Sequence, residues 1–303
     1  MTESYWSLSL QAMSSVDEII ARQIDLALME DIGPGDITTL ACIEPKKISA
    51  RIIAKSDGIL AGMPLVEAAF KKQDIDISVK ALKKDRDSFK KGDIIAEIEG
   101  NSHGILTAER TALNFLGHLS GIATLTSKFV QKVENTSAKI LDTRKTTPGL
   151  RYLEKYAVTC GGGNNHRFGL YDMGLIKDNH IAAAGSVAKA INNFRDYLSG
   201  EDFKNRFSVD PNKIEIEVEI TNKNQLEEAI QSGIKRLLLD NQSIEQLAAL
   251  VKKARALSSE IKLEASGNVN LENVRQIAET GVDFISIGAL THSIASSDFS
   301  LKV

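Results

Sequence analysis

The sequence predicts an α/β protein in two parts, a small α/β sandwich followed by a barrel of parallel βα units. Three observations carry that reading. Short strand-like runs crowd the first third of the chain. From Leu106 onward, apolar runs alternate with helix-length segments. Nearly every one of those later runs stays apolar until it ends in polar residues. Polar tips spread over six strands favour a closed or nearly closed barrel over an open sheet, and a barrel works at the C-terminal ends of its strands.

The first element is a helix over 16–29, with Ile19, Ile20, Ile24, Leu26 and Leu28 set among charges. EDIGPGDITT ends it, because Gly33, Pro34 and Gly35 break the helical backbone. The runs ARIIAKSDGILAG, DISVKALKKD and KKGDIIAEIEG read as short strands, the last entered through a tight turn at KGD. LTAERTALNFLGHLSGIATLTSKFVQKV is a long amphipathic helix with Leu106, Leu113, Leu116 and Leu119 on one broad face. Six strands follow, in AKILDTRKT, YDMGLIKDNH, KIEIEVEIT, RLLLDN, IKLEASGN and DFISIGA. Helices are expected between several of them, over 186–198, 223–232, 243–257 and 271–280.

Bulk properties narrow the function. With 37 Lys plus Arg against 40 Asp plus Glu, the formal charge is −3, which leaves no footprint for nonspecific nucleic-acid binding. A cationic site must then be local. No apolar run approaches the ~18–20 residues of a membrane span. The start carries acids early and no basic run, so it does not read as a signal peptide. Cys42 and Cys160 show no metal-ligand spacing and suit a reducing compartment. A cytoplasmic enzyme is expected.

The local cations lie between Leu141 and His180, where Arg144, Lys145, Arg151, Lys155, His166, Arg167 and Lys177 concentrate. Arg144 and Lys145 follow a strand and precede a turn at Pro148 and Gly149. His166 and Arg167 follow GGGNN, where glycines let backbone N–H groups approach an anion and Arg supplies a bidentate fork. Lys177 ends an apolar strand, where an ammonium needs a partner. In IEIEVEIT the alternation puts Glu215, Glu217 and Glu219 on one face. That face reads as solvated, with Glu219 alone at the barrel mouth. Asp240 ends the next strand. Ser266, Gly267 and Asn268, then Gly288 and Ala289, put small residues after the last strands, where barrels commonly bind phosphate through backbone N–H groups. His166, His180 and His292 fall beside these tips; for His103 and His118 a packed or surface role is the simpler reading. There is no nucleophile elbow, Walker loop, dinucleotide fingerprint or His–Glu–x–x–His. The residues alone point to a phosphorylated sugar, a small polyanion, and group transfer by positioning and electrostatics.

The segments EDIGPGDITT, DGILAG, ERTALNFLGHLSGIAT, LDTRKTTPGLRYLEKYAV, CGGGNNHRFGLYD, LIKDNHI, EVE, LLDN and SIGALTHS occur in order. With them the chain resembles the quinolinate phosphoribosyltransferase family, the carboxylating nicotinate-nucleotide pyrophosphorylases, over essentially its full length. The resemblance implies an N-terminal α/β sandwich over 1–112, an incomplete seven-stranded α/β barrel over 113–293, and a C-terminal segment, 294–303, returning to the first domain. It implies transfer from phosphoribosyl pyrophosphate to quinolinate with loss of CO2 and with Mg²⁺, in a homodimer or larger assembly. Arg110 would then come from the partner subunit, and Arg144, His166, Arg167 and Lys177 would surround the quinolinate carboxylates. Lys145 would face phosphoribosyl pyrophosphate, with Glu219 and Asp240 toward the ribose and the metal, directly or through water or substrate. Lys145, Lys177, Glu219 and Asp240 would carry the catalysis. Ser266, Gly267, Asn268, Gly288, Ala289 and His292 would hold the phosphate end. In one departure, Ser-Gly-Asn stands where the family usually has Ser-Gly-Gly; Asn268 keeps its backbone donor and tolerates the left-handed region. Three alternatives stay open: the related group linked to molybdenum transport, a nicotinate-type transferase without decarboxylation, and a noncatalytic metabolite-binding barrel.

Overall fold

Gly and Pro at 33–35 stop the first helix, Val16–Ile32, as the sequence predicts, and Asp36 restarts the chain by accepting the Thr39 amide N–H. The computed structural model describes residues 16–303, in two compact units. One contains residues up to 127, together with 146–163 and 290–303. Its strands are β1 (Lys47–Ala54), β2 (Gly58–Ile59), β3 (Ser78–Ala81), β4 (Ser88–Phe89) and β5 (Ile94–Asn101). The strand Phe299–Lys302 pairs antiparallel with β1, β1 with β5, and β5 with β3, so the chain end completes a four-stranded sheet. Ile52, Ile95 and Ile98 of that sheet are buried, as are Leu65 and Phe70 of the Met63–Gln73 helix. Asp85 caps that helix by accepting the Gly62 and Met63 N–H groups, each at 3.0 Å, and it also accepts the Tyr156 hydroxyl at 2.7 Å.

The amphipathic stretch forms a single helix, Ser102–Lys132, and the boundary expected at 112/113 falls inside it. The triple glycine serves this helix. A Cβ on Gly161 would strike the Ala123 carbonyl, and one on Gly163 would stand 2.8 Å from both Thr126 and Val158. Close backbone approach, rather than an anion, requires these glycines. The segment before them, expected as a cationic loop, is a helix, Arg151–Cys160, in which Glu154 and Lys155 are fully buried. His118 Nε2 lies 2.9 Å from Glu154 Oε1, and the other oxygen of Glu154 accepts the Thr147 N–H.

The second unit, 128–145 with 164–289, holds β6 (Lys139–Leu141), β7 (Gly174–Ile176), β8 (Ile216–Ile220), β9 (Arg236–Asp240), β10 (Lys262–Ser266) and β11 (Phe284–Ser286). They form one parallel sheet in the order β6–β11–β10–β9–β8–β7. The six apolar runs of the sequence are these six strands. A seventh position is reduced to one parallel bridge, Leu141–Asn164, beyond β6. The intervening helices begin where side chains can cap them. Ser186, Asn222 and Ser243 accept the N–H three residues on, and Gln246 returns the bond to Ser243. Each such cap is worth about 1 kcal/mol. Among the described residues, no helix is long and apolar enough to cross a membrane.

Candidate active site

Strand alternation builds the site. On β8 the odd positions Glu217 and Glu219 share one face and Val218 and Ile220 the other; on β9, Arg236 and Asp240 alternate with Leu237 and Leu239. Val218, Ile220, Leu237 and Leu239 are fully buried. The charged face is not the solvated one expected, since Glu217 is also fully buried. It lines a barrel interior with two levels, a floor and a rim.

The floor is ionic. Arg236 donates from Nε to Glu217 Oε1 (3.1 Å), from Nη2 to Glu264 Oε2 (2.6 Å) and from Nη1 to Glu215 Oε2 (3.1 Å). Its guanidinium also stacks 4.7 Å from the centroid of Phe284. The remaining oxygens of the two buried acids meet His166, whose Nε2 lies 3.1 Å from Glu217 and 3.3 Å from Glu264. This corrects the expectation for His166. Its ring is only 7% exposed and is committed to protein carboxylates rather than turned to a substrate.

Two acids, one guanidinium and one imidazole balance if the cluster holds one further proton. Burial works against a charged His166, but Glu217 and Glu264 outweigh it and raise its pKa to about 9. The Arg167 N–H, aimed at Nδ1 from 2.7 Å, favours the alternative of leaving that proton on Glu217. Burial and the charge of Glu264 raise the Glu217 pKa as well. Burial opposes ionisation of Glu264 too, but His166 and Arg236 hold it down to about 2. The proton therefore belongs to the coupled group, and the floor is neutral with it in either place. His166, Glu217 and Glu264 place ligand atoms within 4.8 Å of one another, a spacing a cation could use, but Arg236 already bridges the two carboxylates.

The rim stands one side-chain step above. Lys177, after β7, lies 3.3 Å from Glu219 Oε2 and keeps 47% of its side chain exposed. Its amide donates to His180 Nδ1 at 2.9 Å, so His180 caps the helix Asp178–Ala184. Ser266 Oγ donates to Asp240 Oδ1, and Asn241 donates to Oδ2 at 2.7 Å. Ser266, expected to hold phosphate, thus spends its hydroxyl on Asp240. A Cβ at Gly267 (φ 91°) would collide with Asn241, which restricts that position to glycine. Asn268 is left-handed at φ 50° and reaches Asn241 Oδ1 at 3.4 Å, while its carbonyl accepts Asn273 Nδ2.

The cations of the rim crowd each other. Burial, and next the charge of Arg144, lowers the Arg167 pKa from its ordinary value. Arg167 Nη1 donates to the Met173 carbonyl at 3.2 Å. Two guanidiniums held close enough to repel suit an anion with more than one charge. Lys145 is exposed after β6, and its amide donates to Thr143 Oγ1. Gly288 and Ala289 follow β11. Arg110 and His292 belong with the other unit; both are exposed, and His292 Nδ1 lies 2.6 Å from Ser293 Oγ. Sequence reasoning missed Arg236, Glu264, Asn241 and Asp142, whose carboxylate accepts the His166 N–H at 2.9 Å. The available signal was a charge at alternate positions of three consecutive strands.

For Mg²⁺, the donor chemistry at the rim fits. Glu219 and Asp240 are hard oxygen donors near the ends of neighbouring strands, where a hydrated cation attached to a phosphate would find them.

Family models for quinolinate phosphoribosyl transferase match the N-terminal domain over residues 36–120 and the C-terminal domain over 122–302. The chain is 43% identical over 275 residues to the probable carboxylating nicotinate-nucleotide pyrophosphorylase of Bacillus subtilis, covering 91% of this chain and 90% of that one. It is 40% identical over 294 residues to the chloroplastic carboxylating nicotinate-nucleotide pyrophosphorylase of Arabidopsis thaliana, covering 92% and 81%. The solved nicotinate-nucleotide pyrophosphorylase of Francisella tularensis superposes with a TM-score of 0.86 at 40% identity, covering 95% of this chain and 97% of that one. A human nicotinic acid phosphoribosyltransferase, 12% identical with a TM-score of 0.57, shares the fold alone.

Proposed function

This chain belongs to the quinolinate phosphoribosyl transferase family, and from that premise we propose how its barrel mouth divides the family's reaction among its residues. The reaction moves the phosphoribosyl group of phosphoribosyl pyrophosphate onto quinolinate and yields nicotinate mononucleotide, pyrophosphate and CO2, a step of NAD biosynthesis. The observation that carries the assignment of the site is the pair of crowded guanidiniums, Arg144 and Arg167, since quinolinate is a dianion.

In this reading Arg144, Arg167 and Lys177 take the two carboxylates and aim the ring nitrogen at C1′ of the sugar. The C1′–O bond to pyrophosphate breaks as the C1′–N bond forms, and positive charge builds on the ribose. Glu219 and Asp240 stabilise that charge from the rim. Lys177 and Ser266 with Asn241 hold those two carboxylates in place. The ribosylated ring nitrogen then accepts electron density, so the neighbouring carboxylate leaves as CO2 and a proton takes its place on the ring carbon. Lys145 faces the pyrophosphate side. Gly267, Asn268, Gly288 and Ala289 offer backbone to the 5′-phosphate, and Ser266 acts there through its backbone. The family resemblance adds His292 to the phosphate and Arg110 to the site of a partner subunit in a homodimer. The exposed Leu26, Met29, Ile37 and Leu40 suit a face covered by another copy. Mg²⁺, held toward Glu219 and Asp240, would neutralise charge on the departing pyrophosphate. The two free cysteines suit the cytoplasm.

Incubation with quinolinate, phosphoribosyl pyrophosphate and Mg²⁺ should release CO2 and form nicotinate mononucleotide. Product from nicotinate in its place, or no product, overturns the reading. Omitting Mg²⁺ tests the metal, and sedimentation tests the dimer.

A further inference from the structure

A barrel interior is ordinarily filled by layers of branched apolar side chains. This one places Glu217, Arg236 and Glu264, from three consecutive strands, directly beneath its rim. Buried ion pairs are poor sources of stability, and well-packed apolar residues of similar volume often do as well or better. The floor therefore calls for an account beyond holding the strands together.

The chain following the triple glycine supplies one. Asn164 joins the sheet through a single bridge to Leu141, so the backbone that carries His166 and Arg167 has little ladder of its own. What fixes it is the floor. His166 is held at its ring by Glu217 and Glu264 and at its backbone N–H by Asp142. Arg167 begins one peptide later, with its N–H on the His166 ring and its guanidinium on the Met173 carbonyl. Arg236 in turn orients both glutamates through their other oxygens. We propose that Glu217, Glu264 and Arg236 are positioning residues for the carboxylate-binding wall, acting through His166 to place Arg167 against quinolinate. None of the three touches the substrate. The proposal rests on the quinolinate reading of the site and deepens it.

Glu264→Gln and Glu217→Gln keep the shape and remove one anchor each. Displacing a positioned group by about 1 Å can cost about 100-fold. The expected result is a quinolinate KM raised about 10- to 100-fold, with the KM for phosphoribosyl pyrophosphate within about 2-fold of wild type. A merely structural floor would lower the melting temperature and scale activity with the folded fraction, leaving both KM values alone; that outcome overturns the proposal. A second variant separates stability from positioning if the single ones fold badly. Glu217→Leu, Arg236→Met and Glu264→Met together replace the ions by apolar volume, a change proteins commonly tolerate. If this protein folds and keeps the wild-type quinolinate KM, the floor positions nothing; a selective rise supports the proposal. Wild type run in parallel distinguishes the two levels of failure. If it forms no nicotinate mononucleotide, the quinolinate reading fails; if it does and the variants bind quinolinate normally, this inference alone fails.

Discussion

Glu217 and Glu219 stand two residues apart on one strand and face the same way, yet they occupy different chemical worlds. Glu217 is locked between Arg236 and His166 with no exposed surface. Glu219 meets one half-exposed lysine at 3.3 Å and remains available to a ligand. The comparison teaches that depth in the barrel decides what a carboxylate does. At the floor both oxygens are consumed by protein partners, so the acid shapes its surroundings. At the rim a mobile partner leaves the acid free to meet charge that develops in a substrate.

Removing each acid should separate the two levels. Glu217→Ala leaves Arg236 buried with part of its compensation gone, and breaking a buried pair this way costs about 3–5 kcal/mol. Urea denaturation should show it; a loss below about 1 kcal/mol would mean that the floor relaxes or admits water. At the rim the larger effect is on rate. Glu219→Gln or Asp240→Asn should lower kcat about 100- to 1000-fold, the range for losing one preorganised electrostatic contact. Stability should stay close to wild type. If kcat holds, these acids do not face the developing charge. Arg144→Ala comes next, with quinolinate affinity lost first. A charge-assisted hydrogen bond is worth about 1.5–3 kcal/mol, or about 10- to 150-fold in KM. Unchanged quinolinate affinity removes Arg144 from the site.

The same contrast explains what could be read in the sequence. The six barrel strands and the capped helices between them were legible because apolar period, strand length and Ser or Asn caps are local signals. The polar strand tips located the rim by the same logic. The floor was not legible. Alternation in IEIEVEIT reveals that its glutamates share a face but not whether that face meets water or protein. Its partners arrive from far along the chain, 51 residues separating His166 from Glu217 and 19 separating Glu217 from Arg236. His166 was misread for that reason, since GGGNNHR suggests an exposed anion loop while the ring turns inward. Local context also misled at Arg151–Cys160. Pro148, Gly149 and the cations suggested an open loop, but the segment is a helix with Lys155 buried.

The smallest expected effect concerns the proton held by the floor. The His166 pKa rises from an ordinary 6.5 to about 9 in the fold, carried by Glu217 and Glu264 against the opposing effect of burial. A group that binds its proton more tightly when folded stabilises the fold while that proton is bound. Its contribution is fully present below about pH 6.5 and is lost as the pH rises through about 9. Denaturation midpoints measured at steps from pH 6 to 10 should therefore fall across that window in wild type. His166→Gln removes the imidazole, and its midpoint should lie lower at pH 6 and change less with pH over the same range. Lys177→Met, a rim substitution, should leave the wild-type slope in place. If wild type and His166→Gln share one slope, the floor does not hold its extra proton through His166, and Glu217 becomes its carrier. Loss of the slope in Lys177→Met would mean instead that rim and floor titrate as one group, and the division between them would fail.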